Sequence, residues 1–229
     1  MPTVARLPVS ESWRRRLYLP AYRVADAARY AGIYRGTVAY WHHRGGRLGP
    51  ALPGKERGKP LSYMQTIEVA FVATFRRLGV PLQRIRRARD YFAQIFGVEF
   101  PFAQLELKTD GHHLLMELLD LEPDARIARL IVGDAAGQLA WEPMVAERFA
   151  EFDYEHDLAV RWHVAGRDSR VVIDPRISFG APTIRGIPTW ALVGRSRAGE
   201  PMDEIGADFG LEPDEVSEAL VFEGIKVAA

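Results

Sequence analysis

The chain has 229 residues, contains no cysteine, and carries 30 Lys and Arg against 30 Asp and Glu. The absence of cysteine excludes disulfides, thiolate metal sites and cysteine nucleophiles. No apolar run approaches the roughly 18–20 residues that cross a membrane, and the first residues lack the apolar segment of a signal peptide. A cytoplasmic location is therefore expected by elimination.

The net charge of zero conceals two oppositely charged parts of the chain. Residues 1–100 hold 18 Lys and Arg against 6 Asp and Glu, a net charge of +12, whereas residues 101–229 hold 12 against 24, a net charge of −12. This asymmetry favours two separate tasks. The basic part suits a polyanion, and the acidic part suits a partner other than a polyanion.

The basic part begins with two short helical patterns over residues 24–46. Val24, Ala27, Ala28 and Ala31 share one face of a first helix, and Gly32 permits a tight reversal before a second helix. The spacing predicts a helix–turn–helix. Spacing alone leaves open whether this unit reads DNA or is a plain helical hairpin with a solvated basic face.

Polar and basic side chains of the second helix and of the following Gly- and Pro-rich segment 44–61 are the candidate DNA contacts. Arg, Thr and Tyr reach both phosphate oxygens and base edges, and a basic loop suits the phosphate backbone. The candidates are Arg35, Thr37, Tyr40, His43, Arg44, Arg47, Lys55, Arg57 and Lys59.

Two amphipathic helices are predicted over residues 64–78 and 82–96. Their apolar stripes exceed what a small head covers alone, so they are expected to pack against a partner subunit, which predicts a homodimer, or against the middle of the chain. The outer face of the second helix is expected to carry four arginines, namely Arg84, Arg86, Arg87 and Arg89.

Residues 22–90 resemble the winged helix-turn-helix of MerR-type regulators. The matching positions are Val24-Ala25, Gly32-Ile33, Thr37, Tyr40-Trp41, Gly45, Ser62-Tyr63 and the segment "FRRLGVPLQRIR" at 75–86. Tyr34 departs from the serine that usually caps the second helix, and Ala39 departs from a common DNA-contacting arginine. The resemblance implies binding to a double-stranded operator.

The middle of the chain, residues 98–170, is predicted to form a small antiparallel sheet with one helix. The segment 102–118 alternates around Asp110-Gly111, which is a hairpin signal. His112 and His113 are neighbours and would point to opposite faces of a strand, so a metal site is not expected. No phosphate loop, dinucleotide motif or catalytic triad is present, so neither catalysis nor a cofactor is expected.

The C-terminal stretch predicts a three-helix module. One helix is expected over 189–197, a second after Pro201 and a third after Pro213. Trp190 is expected to belong to the core, although aromatic anchors also occur at interfaces. Arg185 is expected either to bond loop carbonyls or to reach an acidic site of a partner.

This stretch resembles a small helical family known as domain of unknown function 433. The matches include Asp174-Pro175, Gly180-Ala181-Pro182, Ile184-Arg185-Gly186-Ile187-Pro188, Asp203-Glu204-Ile205, Asp208-Phe209 and Ala219-Leu220. Such domains are commonly encoded beside PIN-like ribonucleases and act as antitoxins. A MerR-like head with this tail is similar to one VapB-type antitoxin subgroup. The resemblance implies a PIN-like ribonuclease toxin as partner, with Arg185, Trp190 and Phe222 as candidate contacts.

The sequence thus predicts an α+β protein with a DNA-binding head and dimerisation helices at 1–97, a small α+β domain at 98–170 and a helical module at 171–229. Three functions remain open: an autorepressing antitoxin, a ligand-responsive MerR-like regulator, and an enzyme or scaffold. The charge asymmetry favours the first two over an enzyme. The acidic C-terminal half favours a protein partner over an anionic effector.

Overall fold

The computed structural model of the protein describes residues 9–43, 49–52, 58–104 and 139–227, and residues 107, 108, 111, 113, 115, 116, 119, 120, 123–125 and 127–133 of the intervening stretch. The chain divides into two compact units. The head unit comprises the described parts of residues 17–150 and 154–159, and the C-terminal unit those of 1–16, 151–153 and 160–229. The three-domain division predicted from the sequence stays a prediction.

Helices dominate the head unit. Its regular elements are α1 (Val24–Tyr30), α2 (Arg35–His43), α3 (Tyr63–Arg77), α4 (Leu82–Phe96), β1 (Ile131–Gly133), β2 (Leu139–Trp141) and α5 (Pro143–Ala150), with 3₁₀ turns at Pro101–Ala103 and Ala128–Leu130. Strands β1 and β2 pair antiparallel, with Val132 opposite Ala140. A further 3₁₀ helix, Val9–Tyr18, precedes α1.

Strands come first in the remaining part of the chain, and helices follow. These elements are β3 (Phe152–Glu155), β4 (Leu158–Trp162), β5 (Val172–Ile173), β6 (Pro182–Ile184), β7 (Ile187–Pro188), α6 (Thr189–Arg197), α7 (Met202–Phe209) and α8 (Pro213–Phe222). The five strands form one sheet in chain order, and the pairs from β4 to β7 are antiparallel. The predicted α+β class is confirmed, and the helices predicted at 64–78, 82–96 and 189–197 are observed within one residue of those bounds.

Helix α3 is the central helix of the head unit. It begins with a capping box, in which the Ser62 hydroxyl accepts from the Gln65 N–H at 3.2 Å and the Gln65 side chain accepts from the Ser62 N–H at 2.9 Å. Twelve of its fifteen residues are buried. The Phe71 ring lies 4.6 Å from the Phe149 ring and 5.8 Å from the Phe102 ring, centre to centre. Residues beyond 97 therefore complete the core around α3.

The apolar stripe of α4 also packs within the same unit. Ile85, Ala88 and Phe92 are buried, and they line a cavity of about 10 Å³ together with Phe102, Ile127, Leu130 and Trp141. Of the two expectations for this stripe, packing against the middle of the chain is the one observed.

A buried ion pair joins α3 to α4. Arg89 Nε donates to Glu68 Oε2 at 2.9 Å, and Glu68 Oε1 also accepts from the Phe102 N–H at 2.9 Å. The guanidinium of Arg89 also donates to the Glu99 carbonyl oxygen. The expectation that Arg89 lies on the outer face of α4 is wrong, because Ile85, Ala88, Arg89 and Phe92 share the buried face.

Glu68 gives the head unit a pH-dependent stability. Burial raises the pKa of Glu68 from 4.5 to about 7, although the Arg89 charge and the Phe102 N–H act in the opposite direction. A carboxyl with a raised folded pKa binds more protons in the folded state, so its contribution to the unfolding free energy falls as pH rises from about 4.5 through about 7. Glu68→Gln does not titrate, so we expect it to flatten this decline. Urea unfolding at about pH 5, 6, 7 and 8 measures the effect.

The matched control for this titration is Glu147→Gln, at an exposed position on α5. It should keep the pH dependence of the unaltered protein, because its exposed side chain takes no part in the buried pair of Glu68 and Arg89. If Glu68→Gln also kept that dependence, the decline would have to come from another group.

The hairpin predicted over 102–118 is wrong for the residues described. Leu107, Lys108, Gly111, His113, Leu115 and Met116 are helical, and Leu119 and Asp120 continue the pattern. Leu107, Gly111, Leu115 and Leu119 are buried at a spacing of four, which is the spacing of one helix face. A Cβ built on Gly111 would lie 2.8 Å from the Trp141 ring, so this glycine allows close packing and does not form a turn. His112 lies outside the described residues.

Candidate functional sites

A tight turn holds α1 against α2 in the head unit. Ala27, Ala28 and Ala31 are buried at the crossing, and the buried residues of α2 are Val38, Trp41 and His42. Gly32 adopts a φ of 64°, and a Cβ there would lie 2.8 Å from a guanidinium nitrogen of Arg77. That guanidinium donates to the Ala31 carbonyl at 2.5 Å, so α3 fixes the turn and glycine fits it.

A groove of about 450 Å³ runs along α2 and gathers basic side chains. Its lining residues are Arg23, Val24, Arg35, Gly36, Ala39, His43, Gly58, Lys59 and Pro60. Three predicted DNA contacts, Arg35, His43 and Lys59, therefore line one concave surface, and Arg23 joins them as a cation that sequence reasoning missed. The described lining residues include no acidic side chain. Such a surface offers several charge-assisted donors to an anion.

The other predicted DNA contacts have different positions. Tyr40 is 44% exposed and Thr37 is half-buried, with the Thr37 N–H bonded to the Tyr34 carbonyl at 2.9 Å. The exposed Tyr34 ring lies over Gly36, and a Cβ built on Gly36 would be 2.7 Å from the nearest ring atom. The remaining four predicted contacts, Arg44, Arg47, Lys55 and Arg57, lie outside the described residues.

One hydrophobic cluster of the C-terminal unit lies wholly between residues 171 and 220. Its buried members are Val171, Ile184, Leu192, Val193, Ile205, Leu211, Val216, Ala219 and Leu220. Helix starts explain the local order. Pro213 occupies the first turn of α8, and the Glu212 N–H donates to the Glu215 carboxylate at 2.9 Å. Helices α6, α7 and α8 therefore follow directly from local sequence signals.

Asp174 anchors the strand that opens the matched motif. It is 1% exposed, and its carboxylate accepts from the Arg176 N–H and from the Arg176 guanidinium, at 2.9 Å to Nε and 2.7 Å to Nη2. The Arg176 carbonyl accepts a hydrogen bond from the Arg16 guanidinium at 3.1 Å. The Arg176 guanidinium lies 5.2 Å from the centre of the Trp13 ring. The buried aspartate thus organises a charged turn in the C-terminal unit.

Arg170 connects the start of β5 to α8. Its guanidinium donates to Asp214 and to Glu218, each at 2.8 Å, and the Ser169 hydroxyl donates to Glu218 at 2.6 Å. The Arg170 hydrogen bond lowers the pKa of Asp214. Burial raises the pKa of Glu218, but the bonds from Ser169 and Arg170 outweigh it and leave that pKa below its usual value. These carboxylates therefore remain ionised at neutral pH and contribute negative charge.

Arg185 lies at the turn between β6 and β7. It adopts a φ of 48°, and its guanidinium donates to the Gly210 carbonyl at 2.8 Å and lies 3.5 Å from the Glu215 carboxylate. This is the loop-bonded arrangement that the sequence offered as one of two expectations. The side chain remains 62% exposed, so it also borders the surface.

The two predicted aromatic contacts differ in exposure. Trp190 is 66% exposed, so the expectation that it belongs to the core is wrong. The second residue of α6 points its ring outward because Thr189, Leu192 and Val193 occupy the buried face of that helix. Phe222 is partly buried against the C-terminal core. Sequence reasoning missed Phe179, which is 95% exposed.

Among the residues that the structure describes, no group of three or more His, Asp or Glu side chains is arranged to hold a metal ion. No helix in the described part of the chain has both the length and the apolar character to cross a membrane.

The chain is similar to known proteins in sequence and in structure. Residues 171–222 match the family model described as protein of unknown function, DUF433. The chain is similar to a Mycobacterium tuberculosis protein named "Putative antitoxin VapB45", with 29% identity over 228 aligned residues that cover 90% of this chain and 94% of the relative. It is also similar in structure to the crystal structure of Rv2018 from Mycobacterium tuberculosis, with a TM-score of 0.76, 28% identity, and coverage of 90% of this chain and 99% of the other. The similarity thus extends across both units.

Proposed function

We propose that the protein is the antitoxin of a type II toxin–antitoxin system and acts in the cytoplasm. Its head unit binds operator DNA and represses its own operon, and its C-terminal unit neutralises a PIN-like ribonuclease. The observation that carries this proposal is the similarity to a relative named as an antitoxin over 94% of that relative's length. A match confined to the C-terminal module would have left the head without a related counterpart.

The groove along α2 supports the DNA-binding part of the proposal. Arg23, Arg35 and Lys59 bring three permanent positive charges to one concave surface, with His43 beside them. Such a surface suits the phosphate backbone, and the exposed Tyr40 on the same helix suits a sugar or base edge. The helix–turn–helix that carries these side chains is MerR-like in its motifs, and α2 is the helix proposed to enter the major groove.

A homodimer on a partly palindromic operator completes this model. Winged and helix–turn–helix heads commonly bind as two-fold pairs, one head per half-site. Since the α4 stripe packs within the head unit, the dimer contact is proposed for other surfaces. Ile95, which is 51% exposed near the end of α4, is one candidate. Sedimentation at tens of micromolar tests the dimer, and a monomer would contradict it.

The DNA-binding prediction concerns Arg35. We expect Arg35→Ala to weaken binding to the specific operator by about 1–3 kcal/mol, because it removes a cation from the proposed recognition helix. Lys59→Ala should weaken binding to all DNA sequences alike and reduce the slope of log K against log salt concentration by about 1. Fluorescence titrations against the promoter duplex and a scrambled duplex, each at several salt concentrations, measure both effects.

The control for these titrations is Gln83→Ala on the exposed face of α4. It should leave both affinities unchanged, since it removes no charge and does not line the groove. Absence of DNA binding by the unaltered protein at low salt would remove the DNA-binding part of the proposal.

The antitoxin part is tested by the product of the adjacent gene. Co-expression should relieve growth arrest caused by that product, and the two proteins should copurify. Failure to bind any neighbouring product would favour the alternative, a MerR-like ligand-responsive regulator. That alternative draws little support from the apolar cavity beside α4, because about 10 Å³ is too small for an effector molecule.

A further inference from the structure

Two aromatic side chains of the C-terminal unit are unusually exposed. Phe179 is 95% exposed and Trp190 is 66% exposed, and Val221 on α8 is 61% exposed. Exposing a large apolar ring to water raises the free energy of the unbound protein. Aromatic residues are enriched at protein–protein interfaces, and Trp is among the residues that most often carry the binding energy. These rings therefore mark a surface suited to a protein partner.

The backbone holds Phe179 in a conformation that bulky residues rarely adopt. Its φ is 56°, and the preceding Ser178 has a φ of 46°. Left-handed backbone is costly for residues other than glycine, and it persists only where the surroundings enforce it. Here the Ser178 hydroxyl donates to the Gly186 carbonyl at 3.3 Å. The loop therefore presents the phenyl ring outward at a local conformational cost.

Hydrogen bonds join the elements that carry the exposed rings to the acidic helices. The Phe179 loop contacts the β6–β7 turn through Ser178 and Gly186, and the same turn contacts the α7–α8 junction through Arg185 and Gly210 at 2.8 Å. At the other end, the Thr189 hydroxyl, next to Trp190, donates to Glu223 at 2.6 Å. These bonds make the loop, the start of α6 and helix α8 one continuous framework.

Helices α7 and α8 and the residues beside them carry an excess of negative charge, although arginines from outside them, Arg170, Arg185 and Arg195, pair with five of the carboxylates. Residues 198–225 contain nine Asp and Glu and no Lys, Arg or His. Asp203 and Glu204 are exposed in the first turn of α7, and Asp214 is exposed in the first turn of α8. Such a surface repels nucleic acid and anionic membranes. It attracts a basic protein surface and speeds association with it.

We propose that Phe179, together with Trp190, is an apolar anchor by which the C-terminal unit binds the basic, RNA-binding surface of its ribonuclease partner. This inference rests on the proposed antitoxin function and names the residues that carry partner affinity. The acidic helices guide the encounter, and the two rings supply the area buried at the centre of the complex. The strained loop holds the Phe179 ring outward before binding, so little conformational freedom is lost when it docks.

The test uses the full-length chain and the purified ribonuclease encoded beside it. Phe179→Ala and Trp190→Ala should each weaken the complex by about 30-fold or more, mainly through faster dissociation. Asp203→Asn with Glu204→Gln should instead slow association at low salt and leave dissociation nearly unchanged. The control is Tyr34→Ala, which removes from the head unit an aromatic ring that is 72% exposed.

Phe179→Gly separates binding from folding. Glycine adopts the observed φ without a side-chain penalty, so this variant should unfold at the same temperature as the unaltered protein or a higher one. It should nevertheless lose ribonuclease affinity as Phe179→Ala does. A parallel change in affinity and stability is what a purely structural role would give.

The outcomes distinguish the two proposals. If the unaltered protein fails to bind the ribonuclease, the antitoxin function fails, and the anchor assignment fails with it. If the unaltered protein binds and both single variants bind within about threefold of it, the anchor assignment alone is overturned. Loss of self-association in Phe179→Ala, with unchanged ribonuclease binding, would assign this surface to a second copy of the chain and would also overturn the proposal.

Discussion

Arg89→Ala is expected to destabilise the head unit by about 3–5 kcal/mol, because it leaves a buried carboxyl without its ionic partner. Glu68 is fully buried, and apart from Arg89 its carboxylate accepts a hydrogen bond from the Phe102 N–H. The substitution also removes the donor to the Glu99 carbonyl. Three chain segments, α3, α4 and the stretch at 99–102, therefore lose one shared connection.

Urea unfolding at about pH 8, above the raised pKa of Glu68, measures this loss. Gln94→Ala, at an exposed position on α4, should change stability by less than about 0.5 kcal/mol. Replacing both charged groups, as Glu68→Gln with Arg89→Met, should restore much of what Arg89→Ala removes, since no charge is then buried and the Gln side-chain oxygen can still accept from the Phe102 N–H. An Arg89→Ala variant as stable as the Gln94→Ala control would show that the buried pair contributes little.

The sequence contained a signal for this ion pair. Arg89 lies four residues after Ile85 and three before Phe92, so the helical period already places it among buried residues. Grouping it with the three other arginines of α4 obscured that position. Its partner was harder to find, since pairing residues 21 positions apart requires knowledge of how α3 packs on α4.

The hairpin predicted over residues 102–118 is wrong because a two-residue turn signal was given more weight than the helical spacing of the apolar residues around it. Asp110-Gly111 is typical of a hairpin turn. The buried series Leu107, Gly111, Leu115 and Leu119 instead follows a helix, and the glycine is needed where the Trp141 ring packs closely. That ring comes from 30 residues later in the chain, so the reason for the glycine is tertiary.

The C-terminal helices were predictable because each has its own punctuation. Pro213 begins α8, and Gly210 ends α7 in the left-handed conformation. The surface of this module was not predictable to the same degree. Trp190 and Phe179 are large aromatic residues of the kind that usually lies in a core. The exposure of Trp190 depends on which face of α6 packs inward, and that of Phe179 on a loop backbone that bulky residues rarely adopt.

The second large expected effect is that each unit, produced alone, folds and carries one of the two proposed activities. We expect residues 151–229 to fold alone, because the apolar core of the module lies entirely within 171–220 and the residues packed against it lie within 164–227. Residues 17–159 should also fold alone, because they contain both segments of the head unit. A fragment ending at residue 97 should not, because Phe102 and Phe149 pack on Phe71 and the Phe102 N–H bonds Glu68. Thermal unfolding of the three purified fragments tests these expectations.

The two foldable fragments should then divide the proposed activities between them. Residues 151–229 should relieve growth arrest by the neighbouring ribonuclease and should not shift operator DNA, because their acidic helices repel phosphate. Residues 17–159 should bind the operator with the salt dependence expected of the groove along α2, and should fail to relieve arrest. Phe179→Ala within the shorter fragment serves as the matched negative control for neutralisation, since it changes a ring that is 95% exposed and leaves the core intact. Relief of arrest by residues 17–159 would place toxin binding in the head. Relief only by the full chain would mean that neutralisation requires both units, and the acidic module would then be one part of a larger binding surface.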